Sequence, residues 1–199
     1  MRVVTYGVGM RSPLWRVGAA LAVVSAALVF GGCAAEDPIV RPSPDPSSTP
    51  LFASDEEALA AAEEAYGRYQ AVEAQVLVDG GQQSERIQGL AVREALTAAE
   101  DGFSDYRANG YKNVGATDFE TVEVQHYSPF AEDGRDVVAL YICLDFSKQD
   151  VVNANNVSVV RPGRLLRQAF EVSFDVAESG DGLVLSAREP WGDNDICAA

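Results

Sequence analysis

The hydrophobic pattern of this chain changes its period once, near Tyr111. Before that point apolar residues recur at steps of three and four, which is typical of helices with one buried face. After it apolar and polar residues alternate, which indicates strands with two different faces. A domain whose helices all precede its strands is typical of the α+β class. We therefore expect N-terminal helices packed on one face of an antiparallel β-sheet meander.

The first helix has a clear start and a clear end. Ser54 followed by Glu57 forms a capping box, and Asp79-Gly80-Gly81 ends the helical pattern. Tyr66 and Tyr69 lie on its apolar face. A pair of tyrosines on such a face fits either a core with hydrated hydroxyls or a ligand cage, and we expect the core.

Residues 84–109 continue the helical pattern, which Gly89 and Gly102 interrupt, so we expect two shorter helices there. The strands follow. The alternating runs lie around Val122 and Val124 and at 138–146, 166–176 and 183–188.

The N-terminus resembles a signal peptide. Arg2, Arg11 and Arg16 precede the apolar stretch from Val17 to Cys33, which is shorter than the about 20 residues of a membrane span. Phe30-Gly31-Gly32-Cys33 resembles the lipobox of bacterial lipoproteins, which implies that Cys33 is lipidated and becomes the first mature residue. We therefore assign residues 1–32 to the signal peptide. Residues 33–50 form the lipidated cysteine and a Pro/Ser-rich linker, and 51–199 form the domain.

The charge of the chain excludes some partners. Its net charge is −15, and the signal peptide removes three arginines and no acid, so the mature chain is more acidic still. Such a surface repels nucleic-acid phosphates. It also repels anionic headgroups, so we expect membrane attachment through the acyl chains on Cys33.

Two cysteines remain if Cys33 is lipidated. Outside the cytoplasm, Cys143 and Cys197 are expected to form one disulfide, worth roughly 4 kcal/mol in the chain-entropy model. The alternative is two free buried thiols.

The order of one long helix, two shorter ones and three or four long antiparallel strands resembles the nuclear transport factor 2-like fold. That resemblance implies a curved sheet wrapped round the helices into a cone. The lipobox, the Pro/Ser linker, the acidic domain and the pairing of Cys143 with a near-terminal cysteine also resemble uncharacterised lipoproteins of Gram-positive actinobacteria. Most of those have no assigned activity.

Catalytic candidates are few. His126 is the sole histidine, so the sequence offers no multi-histidine metal site, and we expect no cofactor. A catalytic His126 would share a face with Val122 and Val124 and need a carboxylate such as Asp145, Glu171 or Asp175. Strand alternation places those carboxylates opposite the apolar stripe, towards solvent.

We therefore expect a lipid-anchored protein on the extracytoplasmic face of the cell membrane. Its domain is expected to be a binding or protein-interaction module for an envelope protein or a small apolar ligand. We expect a binding protein more than an enzyme. The alternatives are an isomerase or hydrolase of small molecules in the cone pocket, and a purely structural role in the envelope.

Overall fold

The computed structural model describes residues 49–192 and 194–197, apart from the side chains of Glu132 and Asn194. The predicted signal peptide (1–32), Cys33 and residues 34–48 of the linker lie outside the described residues. Within the described part, no helix is both long and apolar enough to cross a membrane.

Helix α1 (Asp55–Val78) begins and ends where its capping signals predict. The Ser54 hydroxyl accepts a hydrogen bond from the Glu57 N–H, and the Glu57 carboxylate accepts one from the Ala53 N–H. The bond from Glu57 satisfies one of the N–H donors that a helix N-terminus otherwise leaves unpaired, and the bond from Ala53 fixes the residue before the cap. The buried face of α1 is formed by Ala58, Ala62, Ala65, Tyr66, Tyr69 and Val76.

The second helical region is interrupted near Gly89, as predicted, but not at Gly102. A short 3-10 helix (Ser84–Ile87) is followed by one continuous helix α2 (Arg93–Asn109), which runs through Gly102 without a break. A single helical glycine costs only about 1 kcal/mol. Burial of Ala99 and Phe103 on either side of it outweighs that cost.

Four strands form the main sheet. They are β2 (Asp118–Tyr127), β3 (Val138–Asp145), β5 (Arg167–Val176) and β6 (Leu183–Pro190), antiparallel in the order β2-β3-β5-β6. The sheet is open, because its edge strands β2 and β6 do not pair. Beside β6 the extended chain before α2 bonds to Leu185, whose N–H donates to the Leu90 carbonyl. The predicted α+β class with an antiparallel meander is confirmed.

A second, two-stranded sheet was not predicted. It pairs β1 (Lys112–Gly115) with β4 (Gln149–Val152). Gly115 sits at φ +86, and a Cβ there would overlap the Lys148 carbonyl oxygen. A glycine therefore lets these two strands approach closely. We call this part of the molecule, residues 110–117 and 146–167, the β1–β4 lobe.

The core fills the space between the helices and one face of the main sheet. Its largest fully buried side chains include Tyr66, Phe103, Phe174, Leu140 and Leu185. The other face carries a smaller cluster of Cys143, Ala169 and Cys197, which the C-terminal 3-10 helix (Asn194–Cys197) covers. The sheet is thus covered on both faces near its centre.

Candidate functional site

A cavity of about 170 Å³ lies between α1, the main sheet and the β1–β4 lobe. One wall is apolar and another carries a charged pair. The side chains that line it are Tyr66, Gln70, Glu73, Ala74, Leu77, Asn113, Thr117, Leu144, Phe146, Gln149, Phe170 and Arg188. We call it the α1–sheet cavity.

The charged pair joins Glu73 of α1 to Arg188 of β6. Arg188 Nη1 donates to Glu73 Oε2 at 2.8 Å and Nη2 donates to Oε1 at 2.7 Å, a bidentate geometry. The two side chains are only 14% and 24% exposed. Burial opposes the charge on Arg188, but attraction to Glu73 outweighs it and raises the pKa of Arg188 well above its usual value. Arg188 therefore stays charged, with the Glu73 carboxylate against it as its counter-ion.

Two tyrosines of α1 complete this cluster. The Tyr69 hydroxyl donates to Glu73 Oε1 at 2.8 Å, and the Arg188 guanidinium lies 5.3 Å above the Tyr69 ring centre. Tyr66 is fully buried. Its hydroxyl makes no hydrogen bond of normal geometry with the residues that the structure describes. Burial raises the pKa of Tyr66 to about 12, and the charge of Arg188 offsets part of that rise.

Side-chain amides at the rim of the cavity are held in place. Asn113 accepts a hydrogen bond from the Tyr106 hydroxyl at 2.6 Å, and Gln70 donates to the Thr117 carbonyl at 3.1 Å. Gln149 accepts from Arg164 at 3.1 Å. Because these rim groups already have partners, they are oriented before any ligand arrives.

A second, larger groove of about 580 Å³ lies at the start of α2. Arg93 Nη2 contacts Asp136 Oδ1 at 2.8 Å and Asp175 Oδ1 at 2.9 Å, and Asp175 also accepts from the Asp136 N–H at 3.0 Å. Arg93 and Asp136 both have positive φ, at 47 and 48. Arg93 and Asp175, which both line the groove, pair with each other, and Arg93 also pairs with Asp136. The α1–sheet cavity, whose lining combines apolar side chains with the buried Glu73–Arg188 pair, is the stronger candidate.

His126 lies elsewhere, on β2. Its Nδ1 contacts Gln125 Oε1 at 2.6 Å, and its Nε2 contacts the Asp136 carbonyl oxygen at 2.9 Å. The expected shared face of His126 with Val124 is wrong, because two register shifts interrupt β2. Val122 lies within the first of these shifts and has no paired residue on β3. Val124 pairs with Leu140 of β3, whose side chain faces the core. His126 pairs with Ala139, and because side chains alternate along a strand, Ala139 points to the opposite face.

The structure does not bring His126 together with the expected carboxylates. Asp145 lies six residues further along β3 than the partner of His126, about 20 Å away at the rise of a strand. Asp175 meets His126 only through the backbone of Asp136, whose N–H it binds. Glu171 lies in mid-strand, between Tyr141 of β3 and Glu189 of β6.

The expected solvent exposure of these carboxylates needs one correction. Asp175 is buried at 7% exposure, because Arg93 of α2 reaches over this side of β5. Asp145 and Glu171 are half-buried. Hydrogen bonding from Ser147 lowers the pKa of Asp145, with smaller help from the nearby charge of Arg167.

Cys143 and Cys197 lie at disulfide distance, with their Cα atoms 5.7 Å apart. The pair attaches the C-terminal segment to β3, as predicted. In the same segment the Trp191 ring packs on Tyr141 with 4.7 Å between ring centres. Among the residues that the structure describes, no cluster of three or more His, Cys, Asp or Glu is placed to hold a metal ion.

Sequence reasoning missed Glu73 and Arg188 as site residues. One signal was present: Glu73 occupies the same helical face as Tyr66, Tyr69 and Val76, where a carboxylate needs a buried partner. Nothing in the sequence identifies that partner, which lies 115 residues away.

Comparisons with known proteins bear on the fold. No protein-family model matches the chain, and no curated protein is significantly similar to it. Among solved structures, the chain is similar to the intermembrane-space region of the chloroplast protein ARC6. The TM-score is 0.51 at 13% identity, and the match covers 67% of this chain and 96% of that one. At this identity the likeness shows a shared α+β fold alone.

Proposed function

We propose that this chain is a lipid-anchored extracytoplasmic lipoprotein whose domain binds a small, uncharged ligand in the α1–sheet cavity. The basic N-terminus, the apolar stretch, the lipobox-like Phe30-Gly31-Gly32-Cys33 and the Pro/Ser linker support the anchor. Several acyl chains on one cysteine would hold the protein permanently at the membrane. The proposal also places the chain among the actinobacterial lipoproteins that it resembles.

The fold is proposed to be a nuclear transport factor 2-like cone. A long first helix packed across an open, bulged antiparallel sheet supports this assignment. In a cone of this kind the space between the first helix and the sheet is where a ligand would bind, and the α1–sheet cavity lies in that space.

The cavity itself is the observation that carries the binding function. Its volume of about 170 Å³ exceeds the roughly 150 Å³ that suffices to hold one benzene ring in an apolar engineered cavity. Glu73 and Arg188 cancel each other's charge, so a charged ligand would find no free counter-ion there. These properties favour a neutral ligand the size of a single ring.

Catalysis by His126, Asp145 or Glu171 has less support, because none of these side chains lines the cavity. Glu73 does line it, but Arg188 and Tyr69 already occupy its oxygens. We therefore favour binding over the isomerase or hydrolase alternative.

Ligand binding is tested by titrating the protein with toluene and with benzoate while NMR chemical shifts are followed. Toluene is expected to shift resonances of the cavity residues, and benzoate is expected to bind at least tenfold more weakly. Ala74→Phe, at the cavity wall, should abolish toluene binding. Ala71→Phe is the matched control, because Ala71 is exposed on α1 like Ala74 but does not line the cavity. Toluene shifts that persist in Ala74→Phe would contradict the proposed site.

The anchor is tested by the intact mass of the mature protein taken from its native membrane, before and after reduction. Diacylglycerol on Cys33 and a gain of two protons on reduction are expected. An unmodified mass with cleavage at another position would mean a freely secreted domain.

A further inference from the structure

The β1–β4 lobe differs in charge from the rest of the domain. No acidic residue occurs from Val151 to Phe170, although the whole chain carries 30 of them. The lobe has five basic residues, Lys112, Lys148, Arg161, Arg164 and Arg167, against the single acid Asp150. A strongly acidic domain therefore has one locally basic end.

Three of these basic side chains have no carboxylate partner in the part of the chain that the structure describes. Lys148 pairs with Asp118, and Arg167 pairs with Glu120. Arg164 instead bonds to neutral oxygens of Phe146 and Gln149, while Arg161 and Lys112 are exposed. The lobe thus keeps an uncompensated positive charge.

The same lobe exposes apolar side chains. Among the described residues, the four large apolar side chains that are more than half exposed all belong to it: Val114, Val157, Leu165 and Leu166. Leu165 and Leu166 follow the Pro162-Gly163 turn, and Val157 lies in the same connection between β4 and β5. Exposed apolar groups gathered in one region mark an interaction surface.

We propose that the β1–β4 lobe docks on the surface of an anionic lipid bilayer, with Leu165 and Leu166 entering the headgroup region and Arg161 contacting lipid phosphates. Apolar side chains beside unpaired basic ones are the combination that binds such interfaces. An acidic protein partner would complement the positive charge of the lobe, but its charge alone would not account for the exposed Leu165 and Leu166.

The acidity of the remaining domain does not prevent this contact. The Debye length is about 8 Å at physiological ionic strength, so charges further from the surface are largely screened. The lobe lies at the Asp145 end of β3, and the other end of that strand is about 23 Å away. Of the acids that border the lobe, Asp118 and Glu120 are paired with Lys148 and Arg167. Asp145, which directly precedes the lobe, accepts a hydrogen bond from the Ser147 N–H and leaves one negative charge there.

The test places a tryptophan in the lobe and measures its quenching by brominated phospholipids. Leu165→Trp is made in a Trp191→Phe background, which leaves one tryptophan in the processed chain because Trp15 lies in the predicted signal peptide. Phe130→Trp in the same background is the matched control, since Phe130 is also an exposed apolar residue but lies in the β2–β3 connection, at the other end of the sheet. The full chain is expressed with its signal peptide so that it is processed, and the mature protein is mixed with excess vesicles of phosphatidylglycerol or phosphatidylcholine.

With phosphatidylglycerol, quenching of Leu165→Trp should be at least twice that of Phe130→Trp, and most of it should disappear with phosphatidylcholine. Adding Arg161→Glu makes the charge of the lobe more negative by two units. This should lower the ratio of membrane-docked to undocked lobe roughly thirtyfold. Equal quenching at the two positions would overturn the proposal. A blue shift of Leu165→Trp that grows with protein concentration without lipid would overturn it in favour of a second copy of the chain. The mass measurement decides the acyl anchor separately.

Discussion

The buried pair between Glu73 and Arg188 offers the sharpest test of how this domain is held together. Replacing Glu73 by leucine keeps the apolar stem and removes three hydrogen bonds, two from Arg188 and one from Tyr69. The guanidinium would then remain among apolar groups with its counter-ion gone. Because Arg188 is mostly buried, this variant exposes much of the desolvation penalty of its charge.

The magnitude follows from the burial of the two side chains. Breaking a fully buried pair costs about 3–5 kcal/mol. Since Arg188 is 24% exposed and recovers some hydration, we expect Glu73→Leu to lower the free energy of unfolding by about 2–4 kcal/mol. That is a large part of the roughly 5–15 kcal/mol that stabilises a typical domain. Urea denaturation followed by circular dichroism measures the change.

Two further variants separate charge burial from simple loss of a contact. Glu64→Leu breaks the exposed pair with Arg68 on the same helix, whose side chains are 74% and 46% exposed, and should change stability by less than about 0.5 kcal/mol. The double variant Glu73→Leu/Arg188→Met removes both buried charges and should recover most of the loss. The reasoning fails if Glu73→Leu costs no more than Glu64→Leu, or if the double variant is no more stable than Glu73→Leu.

Three other outcomes are expected. Cys143→Ser and Cys197→Ser should each lower the free energy of unfolding by the same amount, about 4 kcal/mol, in denaturant titrations, and unequal losses would contradict the bridge. The folded pKa of Tyr66 is raised to about 12, above the unfolded value of about 10, so its contribution to the free energy of unfolding is complete below pH 10 and is lost as pH rises through 12. The free energy of unfolding should therefore fall by about 2 kcal/mol by pH 12, and Tyr66→Phe should remove that part of the alkaline loss. Gly81→Ala should lower the melting temperature markedly, since Gly81 has φ +77 and a Cβ would overlap the Phe103 carbonyl oxygen, whereas Ala at the helical Gly102 should be neutral or stabilising.

Local sequence signals predicted the bounds of α1 and the order of helices before strands well. The cap at Ser54 and the glycines after Asp79 delimit α1 through bonds between residues a few positions apart, so their pattern is complete within a short window. Gly102 shows the limit of such signals. A helix-breaking tendency of about 1 kcal/mol could not compete with the packing of α2 on β6.

The candidate site was predicted poorly because its members come from distant segments. Tyr66 and Tyr69 were identified as core residues, but Glu73 became interpretable only once β6 placed Arg188 beside it. In the same way, the bulges of β2 turned His126 away from the face that strict alternation assigns to it. A shift of one residue in register moves a side chain to the opposite face.

By itself, the sequence determined the order of helices before strands and the bounds of α1. It also left Cys143 and Cys197 as the one pair of cysteines after Cys33. All of these properties follow from periodicity, capping signals and residue counts along the chain. Only the tertiary structure decided which charges are buried together, where β1 and β4 form a second sheet, and which leucines remain in solvent. Those outcomes depend on contacts between segments that only the packed chain brings together.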